Sequence, residues 1–402
     1  MKKFLDLGVI LALGLSGTAC TQVKSTSPPG VTNTPLTVTT APPASVDFDK
    51  DMPSGFDISE AKDMIELCID LSEPSTPSRA AGWELKFDGS QEAGRKGVGP
   101  YNNAWKLWKK QGAENVFAIA IRGTIEDWNS IKEDLLATSL NATHAEITLG
   151  QNRVLPLVLA GTSGAEAHLG FSYGMAVLMF HKELGILRKL KELVSAGSRV
   201  YITGHSQGAA LATLTHSFLH YAMRDPTYGL QGFGLKSYLF AQPKPGNWQY
   251  SMDFAKIAAN RGLSYVVNNA LDWVPQLPIT VEFIDEPLRD IAAEYIHDLP
   301  VAERKVVEAG IGGLKILRAQ VAERVKDRVE GKIQGYFKNL DEHFFTSKPA
   351  GEPAATADSI NYISAGNLIA VSGADDPSIR HDGIFTQHHA TNYRKLLYTL
   401  AK

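Results

Sequence analysis

Arg199-Val200-Tyr201-Ile202-Thr203-Gly204-His205-Ser206-Gln207-Gly208-Ala209-Ala210-Leu211 carries two kinds of local structure in thirteen residues. The β-branched and aromatic run at its start reads as a strand that breaks at Gly204, and a helical pattern begins at Gly208. Strand, Gly-x-Ser-x-Gly and helix, in that order, form the context of a nucleophile elbow. The chemistry needs this arrangement because the serine hydroxyl must stand clear of the sheet on a tight, strained turn. Gly204 and Gly208, followed by Ala209 and Ala210, keep bulk away where strand and helix nearly touch. The helix that follows aims its first N–H groups at any negative charge formed at the serine. The alternative is a Gly-rich strand-to-helix turn with a buried serine.

The chain around this stretch has 402 residues, of which 44% are hydrophobic and 21% charged. That is enough to bury a full core in one large domain or two modest ones. The formal net charge of −3 carries no basic footprint of the kind nucleic-acid binding requires, so no nucleic-acid partner is expected.

The first residues read as a targeting segment over 1–19. Lys2 and Lys3 precede an apolar run from Leu7 to Leu15, too short to span a bilayer, and Gly17-Thr18-Ala19 supplies small residues before Cys20. Cys20 in that position resembles a bacterial lipobox, although Gly17 stands where such motifs carry Leu or a similar residue. The resemblance implies a lipidated Cys20 anchored in the cell envelope, at the outer membrane; ordinary secretion and an uncleaved anchor are the alternatives. Residues 20–47 are Thr, Ser, Pro and Val nearly without charge and read as a flexible tether. The folded domain is expected over 48–402. With Cys20 lipidated, Cys68 has no intramolecular partner, and its neighbours Ile65, Leu67, Ile69 and Leu71 mark it as a buried, inert thiol.

Asp57-Ile58-Ser59-Glu60 reads as a helix N-cap with an acidic residue three places on, and Ile58, Ala61, Met64, Ile65 and Cys68 recur at helical spacing. Tyr101 to Lys110 reads as a second helix, with Trp105 and Trp108 three apart as core residues. Val116 to Ile121 is a continuous apolar run typical of a strand buried on both faces. It ends in Arg122-Gly123-Thr124 before a polar loop. Thr124 is therefore a candidate for one N–H donor of an oxyanion hole, and Gln207, next after the serine, for the other. The plain alternative is a strand exit with Arg122 in a salt bridge.

Five segments in order bring out a resemblance. Ile121-Arg122-Gly123-Thr124 with Asp127-Trp128, Ala167-His168-Leu169-Gly170-Phe171, Gly204 to Leu211, Phe240 to Asn247, and Val266 to Pro278 together resemble the class 3 lipase family. Its fungal members are triacylglycerol lipases and its plant members include phospholipase A1 enzymes. Gln207 stands where the family usually carries Leu, and Ala209 where it carries a second Gly. The resemblance implies an α/β-hydrolase, with a mainly parallel central sheet flanked by helices, acting on acyl esters of lipids through a Ser-His-Asp triad and without cofactor or metal.

Serine, acid and histidine follow in that order along the chain of this fold. Ser206 is the nucleophile candidate. Asp272, just after the apolar strand Ser264 to Val267, is the acid candidate; Asp285, Asp290 and Asp298 are weaker. The base comes later, from among His297, His343, His381, His388 and His389. In relatives the histidine is often followed five residues on by Tyr, which favours His388, with Tyr393 at +5, and leaves its neighbour His389 open. His205 reads as structural and turned from the pocket, His168 as a packing or loop-anchoring residue.

Residues 285–355 form an excursion before a last strand over Tyr362 to Val371. Leu314, Leu317, Val321, Val325, Val329 and Ile333 recur at three and four, an amphipathic helix. It reads as a helical subdomain packed on the core, or as a lid or lipid-contacting face hinged at Gly310, Gly312 and Gly313. Phospholipase or general carboxylesterase activity, and a catalytically silent lipid-binding envelope protein, are the competing functional readings.

Overall fold

The computed structural model describes residues 46–278, apart from 74, 77–79, 93–95, 124–138 and 149–153, together with 297, 300–302, 304, 305, 309, 356, 357, 362–379, 383 and 385–400. The targeting segment, Cys20 and nearly all of the tether lie outside the described residues, as do Thr124, His343, His381 and all but a few positions of the 285–355 excursion. The compact unit described below lies within Asp47–Lys402.

Seven strands build the central sheet: β1 (Trp83–Gly89), β2 (Ala104–Lys110), β3 (Val116–Arg122), β4 (Arg199–His205), β5 (Gly234–Phe240), β6 (Ser264–Asn269) and β7 (Asn367–Val371). They lie side by side in that same order. The four pairings from β3 to β7 are parallel; β1 and β2 are added antiparallel at one edge. The chain thus has the mainly parallel sheet of an α/β-hydrolase. Six helices accompany it among the described residues: α1 (Ile58–Ser72), α2 (Leu169–Phe180), α3 (Ile186–Leu193), α4 (Gln207–Ala222), α5 (Trp248–Ile257) and α6 (Ala390–Leu400).

The central strands β3, β4, β5 and β6 are buried nearly throughout because both faces are covered. Phe117, Ile119 and Ile121 of β3 face one core together with Val200, Ile202, Leu235 and Leu239, against α2, α3, α4 and α5. Ala118, Ala120, Tyr201, Tyr238 and Val267 face the other, against α1 and α6. The alternation by two is what a pleated strand requires.

That rule corrects the reading of Tyr101–Lys110 as a helix. Ala104–Lys110 is strand β2, and Trp105 and Trp108 are buried on opposite faces of the sheet, one in each core. Residues three apart share a helix face but fall on opposite faces of a strand. The last strand also differs from expectation. Tyr362–Ile363 pairs with Gly246–Asn247 in a small second sheet, and β7 starts only at Asn367. Gly366, at φ +129°, breaks the run, in a conformation side chains rarely adopt.

Asp57 does cap α1, its Oδ1 accepting the N–H groups of Ser59 and Glu60. Glu60 does not reach back to complete a capping box. Its carboxylate accepts from Tyr201, Tyr238 and the buried Lys236 instead. Cys68 is buried with its Sγ 3.3 Å from Thr203 Oγ1, and burial pushes its thiol up to about 12.

Close approach of backbones fixes the elbow. A Cβ on Gly204 would stand 2.2 Å from the Gly208 carbonyl oxygen, and one on Gly208 would stand 2.3 Å from that of Ile121. Backbone cannot move aside as a side-chain end can. Gly204→Ala is expected to lower stability by about 3 kcal/mol, the upper range for overpacking, read as the shift in a urea unfolding curve. A loss within about 0.5 kcal/mol would contradict this packing.

Candidate active site

Ser206 sits between β4 and α4 at φ 60° and ψ −135°. A non-glycine residue in the left-handed region is held there by its surroundings. Its own N–H donates to Phe240 O at the end of β5, and its carbonyl accepts from Ala209 N. The strain turns the hydroxyl out at the C-terminal end of the parallel strands, where open α/β sheets carry their sites. Gln207 is the first residue of α4, so its backbone N–H lies next to Ser206 at the positive end of the helix. Its side chain packs on Gly123: a Cβ there would meet Gln207 Oε1 at 2.3 Å.

Arg122, at the exit of β3, makes no salt bridge among the described residues, unlike the plain alternative. Its guanidinium donates to the carbonyls of Leu71, Lys96, Asn102 and Gly123, at 3.0 to 3.4 Å. Burial lowers its pKa to about 10, so it remains charged at neutral pH. A rigid fork with five donors suits such a fan of carbonyls better than an ammonium.

Asp272 follows β6 by three residues. Its N–H donates to Asn269 O, and its Oδ1 accepts from Val274 N, a turn that pins the carboxylate. Its Oδ2 accepts from His388 Nδ1 at 2.8 Å and from Tyr393 OH at 2.8 Å. On the other side of the ring, His388 Nε2 lies 2.7 Å from Ser206 Oγ. Residues 206, 272 and 388, spread over 182 positions, are therefore linked in one hydrogen-bonded chain. A carboxylate only accepts, so Nδ1 carries the imidazole proton and Nε2 is free to accept from the hydroxyl. His389 is exposed and outside this chain; His297 is exposed as well.

Burial raises the Asp272 carboxyl, but the bonds from His388, Val274 and Tyr393 outweigh it and hold the group below its ordinary value. Burial and then the Asp272 charge push the Tyr393 phenol well above its usual range, so it remains a donor.

Supporting residues escaped the sequence reading. Asn269 gives its N–H to Tyr393 OH and its side-chain amide to Gln387 O and Oε1, and accepts from Leu271 and Gly373 N–H groups. It thus ties the turn carrying Asp272 to the turn carrying His388. Trp273 and Phe385 pack 5.5 Å apart across the same two turns. His205, read as structural, anchors the backbone of His388. Its Nε2 donates to His388 O at 2.7 Å, with the two rings 4.8 Å apart. Burial first, then the neighbouring His388, lower its pKa to about 3, so it is neutral. Gln387 and Asn269 are ordinary polar residues near turns, with nothing in their spacing to mark them. His168 caps α2, accepting Phe171 N at its Nδ1. Among the described residues no group of three His, Cys, Asp or Glu side chains is arranged to hold a metal ion.

The arrangement can be set beside known proteins. The family model for class 3 lipases matches residues 118–282. A secreted mono- and diacylglycerol lipase of Malassezia globosa, MDL2, is 30% identical over 161 residues, covering 40% of this chain and 46% of the relative. A second from the same organism, MDL4, is 36% identical over 90 residues, covering 22% of this chain and 27% of the relative. The chain thus spans less than half the length of either. Among solved structures, Yarrowia lipolytica LIP2 lipase superposes with a TM-score of 0.41 at 17% identity, over 57% of this chain and 78% of the other. M37 lipase does so with a TM-score of 0.39 at 21% identity, over 50% and 57%. The architecture itself stands on the strand order and the elbow described above, and residues 118–282 are similar to the class 3 lipase family.

Proposed function

We propose that this chain is a serine carboxylic ester hydrolase acting on acyl esters of lipids, with Ser206 as nucleophile, His388 as general base and Asp272 as its orienting acid. The single observation that carries the reading is the hydrogen-bonded chain from Ser206 Oγ through both nitrogens of His388 to Asp272 Oδ2. In the first half-reaction His388 Nε2 takes the hydroxyl proton while Oγ bonds to the ester carbonyl carbon. The carbonyl oxygen becomes an anion, stabilised by the Gln207 N–H and by a second donor, for which Thr124 is our candidate. The intermediate collapses, the alcohol leaves with the proton held on His388, and an acyl ester of Ser206 remains. Water then attacks, its proton passing to His388, and the acid is released with the serine restored. Asp272 holds the productive tautomer and offsets the imidazolium charge throughout.

The substrate class draws support from the family match and from the names of the Malassezia relatives. Export draws support from the Lys2-to-Cys20 segment and from relatives named as secreted; a lipidated Cys20 would hold the enzyme at an envelope membrane, and the 285–355 insertion would add contact with a lipid surface.

A panel of p-nitrophenyl butyrate, mono-, di- and triacylglycerol and phosphatidylcholine tests the reading, together with labelling by a p-nitrophenyl phosphonate. Turnover of at least one ester and a single phosphonate adduct mapped to Ser206 are expected. Absence of both would turn the assignment toward a silent lipid-binding protein. Release of fatty acid from phosphatidylcholine alone would shift it to a phospholipase.

Two substitutions probe the acid. Asp272→Asn is expected to lower kcat by about 10⁴-fold with the fold intact, because an amide facing Nδ1 no longer enforces the tautomer; a loss below tenfold would remove Asp272 from the role. Tyr393→Phe deletes one donor to Asp272 Oδ2. The carboxylate then loses one of the bonds that fix its orientation toward His388 Nδ1. About a tenfold loss of kcat/KM is expected, the size of one bond to a charged group. An unchanged kcat/KM would mean that the phenol only fills space.

A further inference from the structure

A cavity of about 270 Å³ lies at the opposite end of the sheet from Ser206. Its apolar wall includes Met64 of α1, Trp83 of β1 and Val116 of β3. Arg199, the first residue of β4, lines it, and Ser206 follows the last residue of that strand, so the two lie roughly 23 Å apart by strand rise.

Glu60, Asp63, Lys110 and Arg199 are the charged residues of its lining, and Glu60 is paired from outside the cavity by Lys236. Asp63 accepts from Lys110 Nζ at 3.1 Å and from Trp83 Nε1 at 3.0 Å. Glu60 accepts from Lys236 Nζ at 2.6 Å and from the Tyr201 and Tyr238 hydroxyls at 2.7 Å each. Each carboxylate is thus matched by one lysine and neutral donors. Asp57, the other carboxylate of this helix end, is exposed, does not line the cavity, and accepts the N–H groups of Ser59 and Glu60. Arg199 is left over. Half-buried on the cavity wall, its guanidinium makes no side-chain hydrogen bond or ion pair among the described residues. A guanidinium partly withdrawn from water and without a partner is uncommon, because its desolvation is uncompensated.

We propose that this cavity is a second ligand site, separate from the reaction centre, for a small monoanion with an apolar body: a carboxylate borne on an aromatic ring or a short hydrocarbon chain. Arg199 takes the carboxylate through its planar fork. Met64, Trp83 and Val116 cover the body. The volume lies just below the usual range for drug-sized ligands, which limits the body to about one ring. The Glu60 and Asp63 carboxyl groups on the same wall disfavour a dianion, so inorganic phosphate is a poor fit.

Benzoate is the probe, titrated calorimetrically into the full chain and into Arg199→Gln, with neutral benzamide as the matched control and phosphate as the dianion. Saturable benzoate binding is expected, at least tenfold tighter than benzamide and weakened at least tenfold in Arg199→Gln, an effect the size of one charge-assisted pair. Arg199→Gln breaks no side-chain bond among the described residues, so its circular dichroism and melting temperature should match those of the parent. Should the variant fail to fold, the ratio of benzoate to benzamide on the parent still decides. Absence of saturation, equal affinity for benzoate and benzamide, or unchanged binding in folded Arg199→Gln would each overturn the proposal.

Discussion

Ser206→Ala is expected to lower ester hydrolysis by about 10⁶-fold in kcat, the loss found when the nucleophile of such a unit is removed, while leaving the fold as it is. The size follows from what remains. Without Oγ there is no acyl-enzyme, and His388 can at best activate water from a position set for the serine proton. The Gln207 N–H is untouched, so a residual rate above that in water should persist. The fold should tolerate the change because the strained conformation at φ 60° is imposed by the bond from Ser206 N to Phe240 O and by the two glycines, all of which survive. Alanine meets the same backbone penalty as serine there. The measurement is kcat on a soluble ester beside a melting curve. Near-normal turnover in a folded variant would remove Ser206 from the chemistry and with it the reading of the elbow.

Parts of this site were legible because the chemistry restricts the sequence locally. A serine on a strained turn needs Gly204 and Gly208, and the backbone oxygens crowding them explain why no other residue stands there. Asp272 stood out by its place after an apolar strand, and His388 by a spacing to Tyr393, which left His389 open. The structure sets His388 between Ser206 and Asp272 and leaves His389 exposed. Less local features were not legible. Strand β1 was not anticipated, and β2 reads as a helix because Trp105 and Trp108 satisfy a three-residue spacing while packing on opposite faces. Glu60 looks like half of a capping box, yet its partners Tyr201, Lys236 and Tyr238 lie more than 140 positions away in sequence. Asn269 and Gln387 join two turns 118 positions apart, and only the folded chain brings them together. Local conformation leaves a local trace; a hydrogen bond between distant segments leaves none in a single sequence.

His388→Ala and His389→Ala should separate by the same logic. His388 spans the gap between hydroxyl and carboxylate, at 2.7 Å and 2.8 Å, so its loss would remove the proposed base and leave Asp272 without its imidazole partner. About 10⁶-fold in kcat is expected, no worse than for Ser206→Ala, because residues acting as a unit do not add. The double variant with Ser206→Ala should therefore fall little further. Asp272 is then buried without its imidazole partner, but Tyr393 OH and Val274 N–H still serve it, so the loss in stability should remain near 1–3 kcal/mol. The pH dependence carries a sign. The Asp272 carboxyl is held low in the native state, so its ionised form stabilises the fold above an unfolded value of about 3.9 and ceases to do so as pH falls through the lower native one. His388→Ala removes one cause of that depression, which should make the variant relatively more tolerant of acid while less stable at neutral pH. His389 offers only its backbone to the site: its carbonyl accepts from Asn392 and Tyr393 N–H groups at the start of α6, and alanine keeps that carbonyl. His389→Ala should hold kcat within about twofold, an effect below 0.5 kcal/mol. Activity and urea unfolding at pH 4 and pH 7 check both variants. Equal mild losses of kcat would mean that the base lies elsewhere, and an equal large loss would mean that the exposed imidazole takes part as well.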